Sequence, residues 1–423
     1  MSHVVEQSTI KRGVALCAIS LFCFYSTFFA IPISRLSGKV EKMTKSTNIH
    51  LWIPELFCSK GGIQVFSGFL LQALQALYPH ANLSVVLKND SANVIDQNSN
   101  FANLQIYCSG AIKSPLRTVF FALRLIGLAI AQKPNLVIMT HLNFAPIALF
   151  LKKIIGTKYI AIAHGIEAWD IQNSLLKESL QSADLILAVS HFTRDRLCQE
   201  QSLPSDKVGI LHNTFDAKAW KIAPKPQYLL EKYGLKPEQK IILTVSRLVL
   251  SEQYKGYDRL LEAMPVICQT IPDVHYIIVG KGSDRDRIEQ IIDKNNLQNH
   301  VTLAGFIPDQ YLCDYYNLCD LFAMPSKREG FGIVYLEALA CGKPVLGGYL
   351  DGAVDALCHG EIGVLINPDN LQEIAEKIIR ILSGHYENQV IYEPSVLRQK
   401  TITAFGFDHF QQTISKYLSR FLD

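Results

Sequence analysis

Two basic and two acidic residues recur at the same spacing in the second half of the chain. Arg247 and Lys255 are eight residues apart, and so are Glu329 and Glu337. Arginine and lysine bind phosphate oxygens well, whereas carboxylates are poor phosphate ligands and good acceptors from hydroxyl groups. The four side chains together therefore fit a ligand that joins a diphosphate to polyhydroxyl groups, which is the composition of a nucleotide sugar.

The two acids belong to the stretch Lys327–Pro344, KREGFGIVYLEALACGKP, which reads as a loop followed by a helix. Gly330 and Gly332 would let a ligand approach the backbone, and a helix start offers unpaired N–H groups to phosphate or sugar oxygens. Glu329 precedes this start and Glu337 lies within the helix. The alternative is an ordinary capped helix, with one acid near its N-terminus and the other on a solvent face.

Three further polar positions follow predicted strands. Gly61-Gly62 follows the first strand, His164 follows the strand 158–163, and Gly280-Lys281-Gly282 follows the strand 274–279. Ligands of parallel α/β sheets bind at the carboxyl ends of strands, so these positions are candidates for one site. Each has an ordinary explanation too, because glycine pairs form turns, and loop histidines and surface charges are common.

Strands and helices alternate along the chain, which predicts an α/β fold with doubly wound parallel sheets. The segment 216–237 is rich in lysine and proline and interrupts this alternation. We therefore predict a first Rossmann-like domain at 46–216, a second at 217–406, and a terminal helix within 407–423 that returns to the first domain. The predicted strands are 48–54, 83–87, 104–108, 136–140, 158–163, 184–189, 208–211, 240–245, 274–279, 301–303, 320–324, 345–348 and 363–366.

The N-terminal extension, residues 1–45, allows two readings. The segment Gly13–Ser34 is uncharged and long enough to span a bilayer, and the flanking basic residues would leave the bulk of the chain in the cytosol. Alternatively, the native start is Met43, just before the first strand. A cleaved secretory signal is the least favoured reading, because no clear A-x-A site follows the apolar segment.

Composition argues against several classes of protein. A net charge of +3 argues against a nucleic-acid binder that depends on phosphate neutralisation. The ten cysteines are scattered without C-x-x-C, and the twelve histidines show no H-E-x-x-H, so neither a disulfide framework nor a metal site is predicted. The acids of Asp284-Arg285-Asp286 fall at a predicted helix start, where we interpret them as capping residues and not as a metal clamp.

The motifs S-R-L at Arg247, K-G-Y-D at Lys255 and E-G-F-G-I-x-x-L-E-A-L-A-C-G-K-P at Glu329 together resemble the retaining glycosyltransferases of family 4. The resemblance covers the chain from Asn48 to its C-terminus and is most specific in the second half. It implies the GT-B architecture, in which two Rossmann-like domains face each other across an interdomain cleft.

By this resemblance, Arg247 and Lys255 would grip the donor diphosphate and stabilise charge on the leaving group, as in electrostatic catalysis generally. Glu329 would contact the donor sugar, Glu337 the ribose hydroxyls, and His164 the transferred sugar. The implied catalytic residues are His164, Arg247, Lys255 and Glu329. The implied donor-binding residues are Gly62, Arg247, Lys255, Gly280, Phe331, Gly332, Ile333 and Glu337.

The leading hypothesis is therefore a retaining, metal-independent glycosyltransferase without a cofactor. It would move a sugar from a nucleotide-diphosphate sugar to a hydroxyl on a sugar, lipid-linked or small-molecule acceptor, in polysaccharide, glycolipid or cell-envelope glycan synthesis. We expect a cytoplasmic enzyme, with single-span or peripheral association at the cytoplasmic membrane face left open and no nucleic-acid partner. The alternatives are a nucleotide-sugar epimerase and a non-catalytic sugar-nucleotide-binding protein. A dinucleotide oxidoreductase is disfavoured, because Arg285 occupies the last glycine position of G-x-G-x-x-G.

Overall fold

The computed structural model of the chain describes residues 47–58, 61–95 and 104–422. The predictions for Gly13–Ser34 and for a start at Met43 lie outside these residues. Within the part that is described, no helix is long and apolar enough to cross a membrane.

The first half forms a sheet of seven parallel strands in the order β3-β2-β1-β4-β5-β6-β7. The strand order reverses between β1 and β4, and ligands of such sheets bind in the crevice beside this reversal. The strands are almost continuous apolar runs, as expected for a parallel sheet that is covered on both faces. They are β1 (Asn48–Ile53), β2 (Asn82–Leu87), β3 (Leu104–Cys108), β4 (Leu136–Met139), β5 (Lys158–Ala163), β6 (Leu185–Ala188) and β7 (Val208–Ile210).

Helices cover both faces of the first sheet. One face packs on a core that includes Phe121 of α3 and Leu197 of α6, and the other on a core that includes Phe66 of α1. The second core continues into the other half of the chain, so the two halves share apolar contacts. The helices of this half are α1 (Gly62–Leu77), α2 (Ala92–Ile95), α3 (Leu116–Gln132), α4 (Ala145–Ile155), α5 (Ser174–Ser182) and α6 (His191–Gln201).

The second half forms a sheet of six parallel strands in the order β10-β9-β8-β11-β12-β13, with its reversal between β8 and β11. The strands are β8 (Ile241–Val245), β9 (His275–Val279), β10 (Val301–Gly305), β11 (Leu321–Met324), β12 (Val345–Gly348) and β13 (Val364–Ile366). The helices are α7 (Gln227–Tyr233), α8 (Tyr257–Thr270), α9 (Arg285–Lys294), α10 (Asp309–Leu318), α11 (Ile333–Ala340), α12 (Ala353–Ala356), α13 (Leu371–Leu382), α14 (Pro394–Phe405) and α15 (Phe407–Leu422).

The last two helices connect the halves. Helix α14 packs on α11 of the second half, whereas α15 packs on α1 of the first, where the rings of Phe410 and Phe66 lie 5.5 Å apart. Phe215 and Gly406 form an isolated parallel bridge, so the chain passes between the halves at two neighbouring points. Arg398 of α14 reinforces this region by donating to the carbonyls of Ala217 and Ala340, each at 2.6 Å.

The prediction of two Rossmann-like domains is confirmed, and the thirteen predicted strands correspond to β1–β13. The domain limits at 216 and 406 stay predictions. Four helices were missing from the sequence interpretation, the four-residue helices α2 and α12 and the longer helices α5 and α14. The sequence of α5, SLLKESLQS, has only three apolar residues, and that of α14, PSVLRQKTITAF, is rich in polar and β-branched residues, so their helicity depends on tertiary packing.

The return of α15 can be tested by stability. Leu418 is fully buried, and Gln412 is exposed on the same helix. Leu418→Ala should lower the free energy of unfolding by about 2–5 kcal/mol, because it removes buried methyl groups and leaves a cavity. Gln412→Ala should change it by less than about 0.5 kcal/mol. Urea unfolding monitored by circular dichroism measures both, and equal effects would contradict the packing of this helix.

Candidate functional site

The loop between β11 and α11 is held by one buried carboxylate. Asp351 accepts hydrogen bonds from Ser326 Oγ at 2.7 Å, from the Glu329 N–H at 2.7 Å and from the Ala353 N–H at 2.9 Å. Burial raises the pKa of Asp351 to about 7 even though three donors favour its charged form. The loop conformation is therefore fixed before any ligand binds.

This loop presents Glu329 to Lys255, and the two side chains form an ion pair with 16% and 17% of their surfaces exposed. Lys255 follows β8 and Glu329 follows β11, so the pair lies at the strand-order reversal of the second sheet. Burial alone would lower the pKa of Lys255, but the neighbouring Glu329 carboxylate outweighs burial and raises it. The lysine is thus held as a cation in a largely enclosed position.

The first domain contacts this loop through backbone atoms at or next to glycines. A Cβ atom on Gly330 would lie 1.7 Å from the carbonyl oxygen of His164, and one on Gly165 would lie 2.7 Å from Gly330 Cα. On the other side of the loop, a Cβ atom on Gly352 would lie 2.0 Å from the carbonyl oxygen of Gly330. Three glycines from three loops therefore stack where the two domains touch, and we call this contact the glycine stack.

His164 occupies the carboxyl end of β5, as predicted. Its Nε2 lies 3.1 Å from the carbonyl oxygen of Thr140, and its ring packs edge-on against Phe66 with centroids 4.9 Å apart. Burial, together with the nearby His141, lowers the pKa of His164 to about 3. The imidazole is therefore neutral at pH 7 and can donate or accept a hydrogen bond without carrying charge.

The helix α11 begins directly after the glycine stack. Gly332 occupies its N-cap position with φ +87°, a conformation that favours glycine. The ring of Phe331 is buried between His212 and Phe405, with both centroid distances 5.4 Å, so it points into the core while its backbone borders the helix start. Further along, Glu337 accepts a hydrogen bond from Tyr316 Oη at 2.7 Å.

Arg247 is not part of the Lys255–Glu329 ion pair, but it shares the neighbours Tyr254 and Glu252 with it. Its side chain is 69% exposed and forms an ion pair with Glu252. The loop that carries it rests on two glycines, because a Cβ atom on Gly280 would lie 1.8 Å from the Ser246 carbonyl oxygen and one on Gly282 would lie 2.0 Å from that of Leu248. Close packing thus explains these glycines, and the prediction that Gly280 contacts a ligand stays a prediction.

Gly62 begins α1 at the strand-order reversal of the first sheet, and it is exposed. A Cβ atom there would meet no other atom within 4 Å, so this helix start is open on its outer side. The structure therefore brings Lys255, Glu329, the α11 start and His164 together, and leaves Arg247 and Gly62 at positions facing solvent.

A second contact between the domains was not predicted. Asp355 of α12 accepts from the His191 N–H at 3.0 Å and from its ring Nδ1 at 2.5 Å, and His212 Nε2 lies 3.5 Å away. Despite burial, the neighbouring His212 and the hydrogen bonds from His191 lower the pKa of Asp355 to about 2. The sequence offered one signal for this cluster. His191 and His212 follow the neighbouring strands β6 and β7, so they lie at one edge of the sheet.

These three groups have ligand atoms within 4.8 Å of one another, close enough to share a metal ion. The carboxylate already accepts two backbone N–H groups at the start of α6, at His191 and Phe192, so we assign the cluster as a helix cap that joins the domains. Ser190 at the N-cap position of the same helix accepts from the Thr193 N–H at 3.1 Å.

Asp284 and Asp286 lie at a helix start, as predicted, but Asp284 does not cap it through its side chain. It does occupy the N-cap position of α9, but its carboxylate accepts from Tyr257 Oη at 2.7 Å and from Arg287 at 2.6 Å instead of from the helix N–H groups. The buried Tyr257 phenol and the Arg287 guanidinium are its partners in place of the helix N–H groups.

The eight cysteines in the described ranges are free thiols.

The chemistry of the assembled site follows from its charges. A buried ammonium and a helix start are suited to phosphate oxygens, and Glu329 is suited to a hydroxyl group. The neutral imidazole of His164 and the backbone of the glycine stack bring the first domain against the same position. A phosphate-bearing polyol bound there would contact both domains.

Two family models match the chain in succession. The model described as Glycosyltransferase Family 4 matches residues 61–219, and the model described as Glycosyl transferases group 1 matches residues 228–394. The two matches are separated by residues 220–227, which lie within the lysine- and proline-rich segment 216–237.

Curated relatives and solved structures show the same similarity. A GDP-mannose-dependent alpha-(1-6)-phosphatidylinositol monomannoside mannosyltransferase from Mycolicibacterium smegmatis is 29% identical over 256 residues, which are 56% of this chain and 65% of that relative. A phosphatidylinositol N-acetylglucosaminyltransferase component from Arabidopsis thaliana is 27% identical over 277 residues, 63% of this chain and 59% of that protein. The matched region thus spans less than two thirds of either relative.

Among solved structures, HepE from Anabaena in complex with UDP aligns with a TM-score of 0.72 and 21% identity, covering 88% of this chain and 100% of that one. Sucrose-phosphate synthase from Thermosynechococcus elongatus aligns with a TM-score of 0.72 and 19% identity, covering 88% of this chain and 98% of that one. These likenesses show that the two-domain GT-B fold is the same.

The neutral state of His164 predicts a pH dependence of stability. The unfolded chain binds a proton at this histidine as pH falls below 6.5, whereas the folded chain does so only near pH 3. Between pH 6.5 and 5, His164 should therefore reduce the free energy of unfolding by about 1–2 kcal/mol. His164→Gln keeps a donor for the Thr140 carbonyl and should lose this contribution.

Urea unfolding of both proteins at pH 7, 6 and 5 measures the difference. His385→Gln, at an exposed position, is the matched control and should follow the parent chain. An identical pH dependence in His164→Gln and the parent would contradict a buried neutral imidazole.

Proposed function

Because this chain belongs to the glycosyltransferases that combine a Glycosyltransferase Family 4 domain with a Glycosyl transferases group 1 domain, we propose that it transfers a sugar from a nucleotide-diphosphate sugar to a hydroxyl acceptor. The observation that carries this proposal is the enclosed Lys255–Glu329 pair, which lies at the strand-order reversal of the second sheet and next to the glycine stack.

The donor would bind by exchanging partners within this pair. The Lys255 ammonium would turn to the diphosphate, and Glu329 would accept from sugar hydroxyls in place of the lysine. The backbone N–H groups at Phe331, Gly332 and Ile333 would hold phosphate and sugar oxygens, because the first N–H groups of a helix have no partner within it. Glu337, whose carboxylate accepts hydrogen bonds from hydroxyl groups, would bind the ribose.

Transfer would retain the anomeric configuration. The bond between the anomeric carbon and the diphosphate oxygen breaks while the acceptor oxygen bonds to the same face of that carbon, and the acceptor proton passes to the departing phosphate. Negative charge develops on the leaving diphosphate, so a preorganised cation at Lys255 lowers the barrier. His164, being neutral, would orient a hydroxyl of the transferred sugar without competing for the phosphate.

Arg247 would join the site only on donor binding. Its exposed guanidinium pairs with Glu252, and one oxygen of that carboxylate is buried without a hydrogen-bond partner in the described structure. A diphosphate offers the arginine a stronger, bidentate partner than a single carboxylate oxygen. Gly62, at the open start of α1, would approach the diphosphate from the first domain.

The acceptor is proposed from the relatives. The names of two of them refer to phosphatidylinositol or its mannoside, which are lipids that carry a polyol or a sugar. We propose a hydroxyl acceptor of that kind, or a sugar or small molecule, used in glycolipid, polysaccharide or cell-envelope glycan synthesis. The enzyme would work in the cytoplasm, at the cytoplasmic face of the membrane where the acceptor is lipid-linked.

Substitution of Lys255 and Glu329 tests the proposed reaction. The donor is first identified by screening UDP-, GDP- and ADP-sugars for thermal stabilisation, which a tight ligand produces by linkage. Lys255→Met and Glu329→Gln should each lower kcat/KM with that donor by about 100-fold or more, because each removes a charged contact to the donor. Arg380 lies on α13 and forms a surface ion pair with Glu387. Arg380→Ala breaks this pair and should leave kcat/KM unchanged.

Thermal melting of the three variants separates loss of activity from loss of fold. Full activity in both Lys255→Met and Glu329→Gln would overturn the proposal. Formation of an altered nucleotide sugar without acceptor would indicate an epimerase, and donor binding without turnover would indicate a binding protein. Proton NMR of the product identifies the anomeric configuration, and inversion would contradict the proposed retention.

Metal independence is a separate prediction. Asp284, the first acid of the only D-x-D sequence, is engaged by Arg287 and Tyr257, so it is not available as a metal ligand without breaking its ion pair with Arg287. We therefore expect initial rates of transfer to be unchanged in excess EDTA. A rate that falls with EDTA and returns with Mg²⁺ or Mn²⁺ would contradict this expectation.

A further inference from the structure

One stretch of the first domain differs in charge from the rest of the chain. From Gln97 to Ile166 there is no aspartate or glutamate, but there are seven lysines and arginines. Since the whole chain has a net charge of +3, the remaining residues together carry −4. Two of the seven, Lys152 and Lys153 of α4, form ion pairs with Asp184 and Glu178, so the excess positive charge lies on the other five, which extend from just before α3 to the start of β5.

Helix α3 is apolar on its outer face as well as on its inner face. Phe121, Leu125 and Ala129 are buried against the sheet. Leu116, Phe120, Leu123 and Ile130, which recur at helical spacing on the opposite side, are 68%, 38%, 42% and 43% exposed. Large apolar side chains in one stripe on a solvent-facing helix indicate an interaction surface.

The stripe continues onto the neighbouring helix. Helix α4 packs beside α3, and its outward residues Phe150 and Ile154 are 36% and 50% exposed. We call these six residues, four on α3 and two on α4, the apolar patch. Lys113 and Lys133 are exposed just before and just after α3, so basic residues border the patch at both ends.

We propose that the apolar patch docks the protein on an anionic lipid bilayer. Apolar side chains inserted at the level of the headgroups, with lysines beside them, match the chemistry of such a surface. The Arg124 guanidinium, which lies 4.7 Å from the Phe120 ring centroid, adds positive charge at the same level. A second copy of the chain fits less well, because a symmetric contact would bring two positively charged regions together.

Docking in this orientation would place the cleft at the bilayer. Helix α3 starts after the carboxyl end of β3, and α4 starts shortly after Thr140, whose carbonyl contacts the His164 ring. The N-terminal ends of α3 and α4 therefore lie at the same edge of the sheet as His164. The docking itself does not depend on the proposed transfer reaction, and it would present a lipid-linked acceptor to that edge.

Vesicle cosedimentation of the full chain tests the proposal without any donor or acceptor. The probes are phosphatidylcholine vesicles with and without about 30 mol% phosphatidylglycerol. The parent chain should bind the anionic vesicles and release on raising salt to about 0.5 M. The double variant Leu123→Glu/Phe150→Glu should bind at least about tenfold more weakly, because it removes apolar contacts and adds charges that the lipid repels.

The matched control is Ile222→Glu/Val266→Glu, which makes the same charge change at residues 42% and 50% exposed in the second half of the chain. It should bind like the parent. Lys113→Gln/Lys133→Gln, which leaves the apolar residues intact, should weaken binding to the anionic vesicles and reduce its salt dependence. Thermal melting confirms that each variant is folded.

Three results would overturn the proposal. The first is a parent chain that fails to bind anionic vesicles. The second is a patch variant that binds them as well as the control, which would place the contact elsewhere, including in Gly13–Ser34. The third is a dimer, seen by sedimentation velocity, that only the patch variant loses while vesicle binding persists. None of these results bears on the activity of Lys255→Met or Glu329→Gln, so the two proposals fail separately.

Discussion

The glycine stack is the constraint on which the rest of this site depends. Three loops, after β5, β11 and β12, come so close that a Cβ atom on Gly330 would lie 1.7 Å from a carbonyl oxygen of the other domain. Only backbone fits there, so the two sheets can bring their carboxyl edges together without side chains between them. Asp351 then holds the loop between β11 and α11. It accepts a hydrogen bond from the Glu329 N–H, which positions Glu329.

The electrostatics of the site follow from this closeness. Lys255 and Glu329 lose most of their water and satisfy each other, which stabilises both charges in the absence of a ligand. A bound diphosphate has to compete with that carboxylate, so donor binding involves an exchange of ion pairs more than the creation of one. On the far side of the contact, Asp355 joins the domains through His191 and His212, so the closed arrangement is held at two points.

The sequence predicted what depends on local pattern. Parallel strands with apolar runs, the loop-helix stretch from Glu329 and the His164 position all follow from periodicity and strand ends, and so they were found. What depends on partners far along the chain was not. The engagement of Asp284 by Tyr257, the cluster at Asp355 and helix α14 are decided by tertiary packing, which a single sequence does not display.

The position of α15 has a consequence for synthesis of the chain. This helix covers α1 with Phe410, Ile414 and Leu418, yet it leaves the ribosome only after the whole second domain. All other elements of the first domain emerge far earlier, so α1 waits with its apolar face uncovered while the whole second domain is made. Folding of the first domain is therefore completed only after the second domain has been made, so the two halves mature together instead of one after the other.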